Sequence, residues 1–175
     1  MKVKTIIVIA GLSAITVILF SKRKIIMAYI DLLANLIPKF EGFRSTPYWD
    51  YKQWTWGYGT QVPLKYMNGN KPVAGATISR AQAFADALAY LNNSKAILEP
   101  LIRIPLGANQ WAALLSFSYN LGVGATKNLL NNLNSMNWAA LEKQFKQYVN
   151  AGGVVNPNLV ARRNEEWAIF AKDLV

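Results

Sequence analysis

Glu41 and Asp50 stand nine positions apart in the stretch EGFRSTPYWDYKQWTWGYGT, Glu41 to Thr60, among Tyr48, Trp49, Tyr51, Trp54, Trp56 and Tyr58. Acid is scarce in this chain, with nine Asp and Glu against 19 Lys and Arg in 175 residues and a formal charge of +10. There is no cysteine and no histidine, so thiol nucleophiles, thiolate metal sites and imidazole bases are excluded and carboxylate chemistry remains. Two carboxylates facing each other across a groove suit glycosidic bond cleavage, one giving a proton to the leaving oxygen and the other activating water. Aromatic rings along the groove would pack against sugar faces. The pattern implies no metal and no cofactor.

Glu41 falls where an amphipathic helix ends, and the partial negative charge of a helix carboxyl end disfavours an ionised carboxylate there. Phe40 and Phe43 beside it add an apolar setting, so the side chain should hold its proton as a general acid must. Asp50 sits among strand-forming aromatics, where Asp is depleted unless it makes a turn. Taken singly, each carboxylate more often serves as a surface or capping group; their pairing among aromatics is what points to chemistry. Thr55, five positions after Asp50, suits either a water-holding hydroxyl or an ordinary strand position. Gly57 and Gly59 permit close backbone approach or a bulge.

The elements that must position these residues are legible in outline. From Tyr29 onward, Leu33, Leu36, Ile37 and Phe40 follow the i, i+3, i+4, i+7 spacing of an amphipathic helix that Gly42 ends, with Pro38 arguing for a kink or a new start. The aromatic, Gly- and Thr-rich stretch to about Pro72 reads as short antiparallel strands. After Thr77 or Ser79 as a cap, RAQAFADALAYLNNSKAIL is a helix ending near Pro100. Gly107 or Asn109 starts another, QWAALLSFSYNLG, closed by Gly122. Shorter helices follow over Lys127 to Leu133 and Trp138 to Val149, and a last one runs from about Ala161 to Lys172. The expected fold is α+β, mostly helical, with a small antiparallel sheet near the start of the globular domain.

Ahead of that domain, Thr5 to Ser21 carries no charge over 17 residues. As a helix this run is about 26 Å long, the lower limit for a bilayer core. It lacks the small-residue pair of a cleavage site, so it reads as an uncleaved membrane or signal-anchor segment within residues 1–24, with residues 25–175 forming the globular domain. Lys2, Lys4, Lys22, Arg23 and Lys24 bracket it and hold half the net positive charge. The remaining charge is diffuse, which argues against a specific nucleic-acid partner, although a basic protein is drawn to polyanions in general. The flanking charges weakly favour leaving residues 25–175 on the cytoplasmic side.

Phe40-Glu41-Gly42-Phe43, Tyr48-Trp49-Asp50, Trp54-Thr55 and Gly57-Tyr58-Gly59 together closely resemble the Glu, Asp, Thr signature of the phage lysozyme (endolysin) family, glycoside hydrolase family 24. The run Gln110 to Gly124 resembles that family's central helix, and Ala151-Gly152-Gly153 with Leu159-Val160 and Arg162-Arg163-Asn164-Glu165 resembles its carboxy-terminal signature. The resemblance covers Leu36 to Phe170. It implies a lysozyme-like fold and a muramidase acting on peptidoglycan, with Glu41 as proton donor, Asp50 as base and Thr55 as the residue that positions water. Arg162 takes the place of an Arg that reaches the catalytic Glu, while Tyr119, Asn120 and Tyr58 are candidates for lining or supporting the groove; a solvated face for Arg162 and Arg163, and core packing for Tyr119, stay open.

Two departures stand out. Five positions separate Asp50 from Thr55 where six are usual, and Thr60 replaces a frequent His. The resemblance and a water-holding Thr point to inversion of configuration, which needs carboxyl groups about 6.5–9.5 Å apart. The expected protein is a monomer whose segment 5–21 engages the bacterial inner membrane while its catalytic domain reaches the cell wall. A cell-wall binder that does not cut, and an entry lysozyme carried on a virion membrane, are the alternatives.

Overall fold

In a computed structural model, the backbone of residues 3–174 and the side chains of residues 19–174 are described. Helix α1 (Val3–Glu41) runs without interruption through Lys22, Arg23 and Lys24, and Pro38 lies within it. The charge cluster that divides the sequence at residue 24 is therefore no break in the backbone. Ile25 already packs against the core, and Tyr29, Leu33, Leu36 and Ile37 are buried in it. Gly42 ends the helix in the left-handed region at φ 66°, and its N–H donates to the Pro38 carbonyl at 3.2 Å, the αL stop that glycine favours.

Gly42 turns the chain into a three-stranded antiparallel sheet in sequential order, β1 (Arg44–Asp50), β2 (Gln53–Gly57) and β3 (Thr60–Gln61). Two-stranded ribbons follow at β4 (Met67–Asn68) with β5 (Lys71–Pro72), and near the other end of the chain at β6 (Asn150–Ala151) with β7 (Val154–Val155). The remaining chain is helical: α2 (Arg80–Leu98), α3 (Ala108–Asn128), α4 (Leu130–Asn134), α5 (Trp138–Phe145) and α6 (Pro157–Phe170). This is the α+β, lysozyme-like arrangement that the sequence implies.

Helix α3 is the axis of the domain, buried from Gln110 through Ser118, as expected of a helix packed on several sides. Helices α1, α2 and α6 pack around it. Its start is fixed by Asp173, whose carboxylate accepts from the backbone N–H of Asn109 at 2.9 Å and of Gln110 at 3.3 Å. A carboxylate there satisfies orphan donors and meets the positive end of the helix, and a side chain on Gly107 would collide with it. Gly122 is non-helical at φ 81°, so the expected stop is a kink after which the helix resumes. The last helix begins at Pro157 rather than Ala161, with the Asn156 side chain accepting from the Asn158 N–H; proline at the first helical position needs no hydrogen-bond partner.

Candidate active site

The β1–β2 hairpin turns through Tyr51 and Lys52, with Asp50 opposite Gln53, Trp49 opposite Trp54 and Tyr48 opposite Thr55. Side chains alternate along strands and cross-strand partners share a face. Tyr48, Asp50, Gln53 and Thr55 therefore point to one side, and Trp49 and Trp54 to the other, where their rings meet edge-on at 5.6 Å. The short connection is tight enough to hold Tyr51 at φ 49°, an unusual conformation for a bulky residue. Asp50 is exposed at the end of its strand.

Glu41 closes α1 with its side chain 20% exposed. Arg162, on α6 and 4% exposed, donates from Nη1 to Glu41 Oε1 at 2.7 Å, and its guanidinium lies over the Phe40 ring at 4.8 Å. The same guanidinium donates from Nε to Glu166 Oε1 at 3.0 Å and from Nη2 to the Ser116 carbonyl at 3.0 Å. Arg162 is thus a buried clamp on Glu41 and not part of a solvated face. On the outside, Lys39 pairs with Glu165 at 2.5 Å and ties the same two helices together.

A cleft of about 580 Å³ opens between β3 and α2, walled by Gln53, Gly59, Thr60 and Gln61 on one side and by Asp86, Tyr90, Asn93 and Tyr119 on the other. Neither carboxylate is part of the lining itself. Glu41 adjoins it through Gly59, where a Cβ would come within 3.9 Å of Glu41 Oε2, and Asp50 adjoins it through its partner Gln53. Two tyrosines register the carboxylates electrostatically. Burial first, then the charge of Glu41, pushes the Tyr119 hydroxyl up. Burial, then Asp50, with Glu41 also contributing against the opposing pull of Arg44, does the same to Tyr48. Tyr48 therefore lies within the fields of both acids, on the hairpin face that carries Asp50.

The other residues expected at the site have distinct places. Tyr119 donates from its hydroxyl to the Tyr58 carbonyl at 2.9 Å and meets Tyr90 edge-on at 5.4 Å, so it is a cleft wall anchored to the sheet. Tyr58 is buried, with its ring against Phe43 at 5.5 Å; it supports the cleft from beneath. Asn120 accepts from Arg163 Nη2 at 3.1 Å. Thr55 is fully buried and Thr60 is half-buried in the cleft lining, and the hydroxyl of each is buried without a hydrogen-bond partner.

Several site residues were not read from the sequence. Asp86, Tyr90 and Asn93 form a stripe at i, i+4, i+7 on α2, flanking the buried face of Ala83, Ala87, Leu91 and Ser94; that stripe was the available signal. Arg163 and Glu166 are both wholly buried and pair at 2.8 Å, and Ser116 donates to Glu166 at 2.6 Å. Burial pushes the Arg163 guanidinium down to about 10 and pushes the Glu166 carboxyl up against the pull of both arginines and the Ser116 hydroxyl. The two buried guanidinium groups in contact with it favour its charged form against that burial. Among the described residues no group of three acidic side chains is placed to hold a metal ion.

The family model described as phage lysozyme matches residues 38–166. The endolysin of Bacillus phage PZA is 33% identical over 144 residues, covering 78% of this chain and 52% of that protein, so the chain spans about half the length of that relative. The endolysin of Acyrthosiphon pisum secondary endosymbiont phage 1 is 31% identical over 142 residues, covering 77% of this chain and 92% of that one. Among solved structures, the endolysin from Escherichia coli O157:H7 phage FAHEc1 superposes with a TM-score of 0.65 at 28% identity, covering 82% of this chain and 92% of that one. The matched stretch takes in the Glu41–Arg162 clamp, the hairpin and the cleft, and by it the chain belongs to the phage lysozyme family.

Proposed function

We propose that the chain is a lysozyme that hydrolyses the β-1,4 bond between N-acetylmuramic acid and N-acetylglucosamine in peptidoglycan and so lyses the bacterial cell wall. The observation that carries this reading is the clamp of buried Arg162 on Glu41 at the edge of a cleft whose hairpin bears Asp50. The glycan lies along the cleft against Tyr119 and Tyr90, with Gln53, Gln61, Asp86 and Asn93 available to its hydroxyl and acetamido groups. Glu41 gives its proton to the glycosidic oxygen as the bond to the anomeric carbon breaks. Asp50 takes a proton from the water that attacks the opposite face, so the configuration inverts. Thr55 positions that water, with Thr60 the alternative hydroxyl.

Glu41→Gln keeps shape and hydrogen bonding but has no proton to give, so release of reducing ends from purified peptidoglycan should fall at least about a hundredfold. A folded Glu41→Gln variant that clears cell walls at the wild-type rate would remove Glu41 from the mechanism. Wild-type protein that binds cell walls without releasing reducing ends would make the chain a binder only.

Residues 25–175 carry this activity, and residues 1–24 route it to the membrane. The basis is the uncharged run Thr5 to Ser21 between basic flanks. All but its last three residues lie outside the described side chains, and among the described residues no helix is long and apolar enough to cross a membrane. Fractionation of expressing bacteria should find the chain with the inner membrane, and protease added to spheroplasts should digest the carboxy-terminal domain. Recovery of intact chain in the soluble fraction would remove the membrane segment.

A further inference from the structure

Behind Arg162 lies a charged group that the reaction as written does not use. Glu166 sits one turn on along α6, fully buried, with Oε1 accepting from Arg162 Nε at 3.0 Å and from the Ser116 hydroxyl at 2.6 Å. Its Oε2 is 2.8 Å from Arg163 Nε. Arg163 in turn stacks over Phe117 at 4.7 Å and donates to Asn120. Three helices thus meet on one carboxylate: α6 through both arginines, α3 through Ser116 and Asn120, and α1 through Glu41 on the far side of Arg162.

The charge count shows what Glu166 does. With Glu41 ionised, two cations and two anions balance. With Glu41 carrying its proton, as a general acid must before turnover, the cluster keeps one net positive charge. Without Glu166 the same state would leave two buried cations, one touching the acid and the other behind it, and would drive the proton off Glu41. We propose that Glu166 is a positioning residue for the acid: it fixes the Arg162 fork against Glu41 and offsets the paired arginines so that the clamp does not strip the acid of its proton. This rests on Glu41 being the proton donor. The other groups in the field of Glu41 are Tyr119 on α3 and Tyr48 on β1, neither of which ionises in the working range, with Asp50 and Arg44 beyond Tyr48 and the Lys39–Glu165 pair on the outer surface.

The test is the pH profile of the full chain on soluble peptidoglycan fragments, with kcat and KM measured separately. Glu166→Gln keeps size and removes the charge. Its kcat should fall at least about tenfold with KM within about threefold, since the acid is misplaced and not the glycan. The alkaline limb of kcat/KM should move down by about one pH unit, since the lost charge and Glu41 share the Arg162 guanidinium. Arg163→Gln removes the second cation and should move the limb the other way. Glu166→Asp, which keeps the charge on a shorter arm, should restore the limb while leaving kcat low.

A merely structural Glu166 would lower thermal stability and leave the limb in place. A folded Glu166→Gln with wild-type kcat and an unmoved limb, or shifts of the same sign in Glu166→Gln and Arg163→Gln, overturns the proposal. Should Glu166→Gln fail to fold, Arg163→Gln decides: an unmoved limb overturns it and an upward shift supports it. An active Glu41→Gln would instead overturn the assignment of the acid, whatever Glu166 does.

Discussion

Arg162→Met isolates the worth of the clamp. Met keeps much of the arginine stem's volume but removes the 2.7 Å contact with Glu41, the 3.0 Å contact with Glu166 and the 3.0 Å bond to the Ser116 carbonyl. At 4% exposure for Arg162 and 0% for Glu166, water does not replace the lost cation. Breaking a buried ion pair from one side costs about 3–5 kcal/mol. At about 2–4 °C per kcal/mol for a domain of this size, Tm should fall by about 6–20 °C at neutral pH. The sign of the pH dependence follows from Glu166. Burial already pushes its carboxyl up, and Arg162 is one of the groups pulling it down. Without Arg162 the folded state takes up a proton at higher pH than the unfolded chain. The wild type's own value is raised as well, so the penalty is full above the variant's higher folded-state value and is relieved as pH falls from there to the wild type's. Melting curves followed by circular dichroism from pH 4 to 8 should show a gap between wild type and variant that is widest at high pH. A gap below about 2 °C at pH 7, or one that widens on acidification, refutes the argument.

Thr55→Val should hold Tm, because the hydroxyl it removes is buried without a partner and its loss strands nothing, while cell-wall clearing falls. Full activity in Thr55→Val with loss in Thr60→Val, read on the same clearing assay, moves the water-holding role to the cleft-lining threonine. Gly57→Ala places a side chain at φ 60° with its Cβ 2.7 Å from that of Ala83, so strain and overpacking together should cost about 2–4 kcal/mol. An unchanged midpoint in urea unfolding would contradict that geometry.

The spacing of Leu33, Leu36 and Ile37 predicts the buried face of α1, and Gly42 predicts its end. Phe40, fourth in the same series, is only partly buried, with its ring against the Arg162 guanidinium. A hydrophobic period cannot distinguish a ring packed in the core from one packed against a cation. The helix runs on past Lys24 for a related reason. Charge changes what a helix face meets, but Lys and Arg are good helix formers, and nothing between Ser21 and Ile25 stops the hydrogen-bond ladder.

The clamp itself shows where local reading ends. Arg162 and Glu41 are 121 positions apart, and no propensity or period connects them; only the family resemblance suggested the pair. Arg162, Arg163 and Glu166 at i, i+4 and i, i+3 look like the surface ion pairs that decorate many helices, each worth a few tenths of a kcal/mol. Their burial is decided elsewhere, by Trp167 and Phe170 on the same helix and by the buried run from Gln110 to Ser118 on α3. Once α6 must press those aromatics into the core, the arginines that precede them on the same helix go in as well. They are tolerable there because Glu166, the Ser116 carbonyl, Asn120 and Glu41 supply acceptors. The proposed acid is therefore also a ligand of this buried charge cluster, and the contacts that make the cluster tolerable are the ones that hold Glu41 in place.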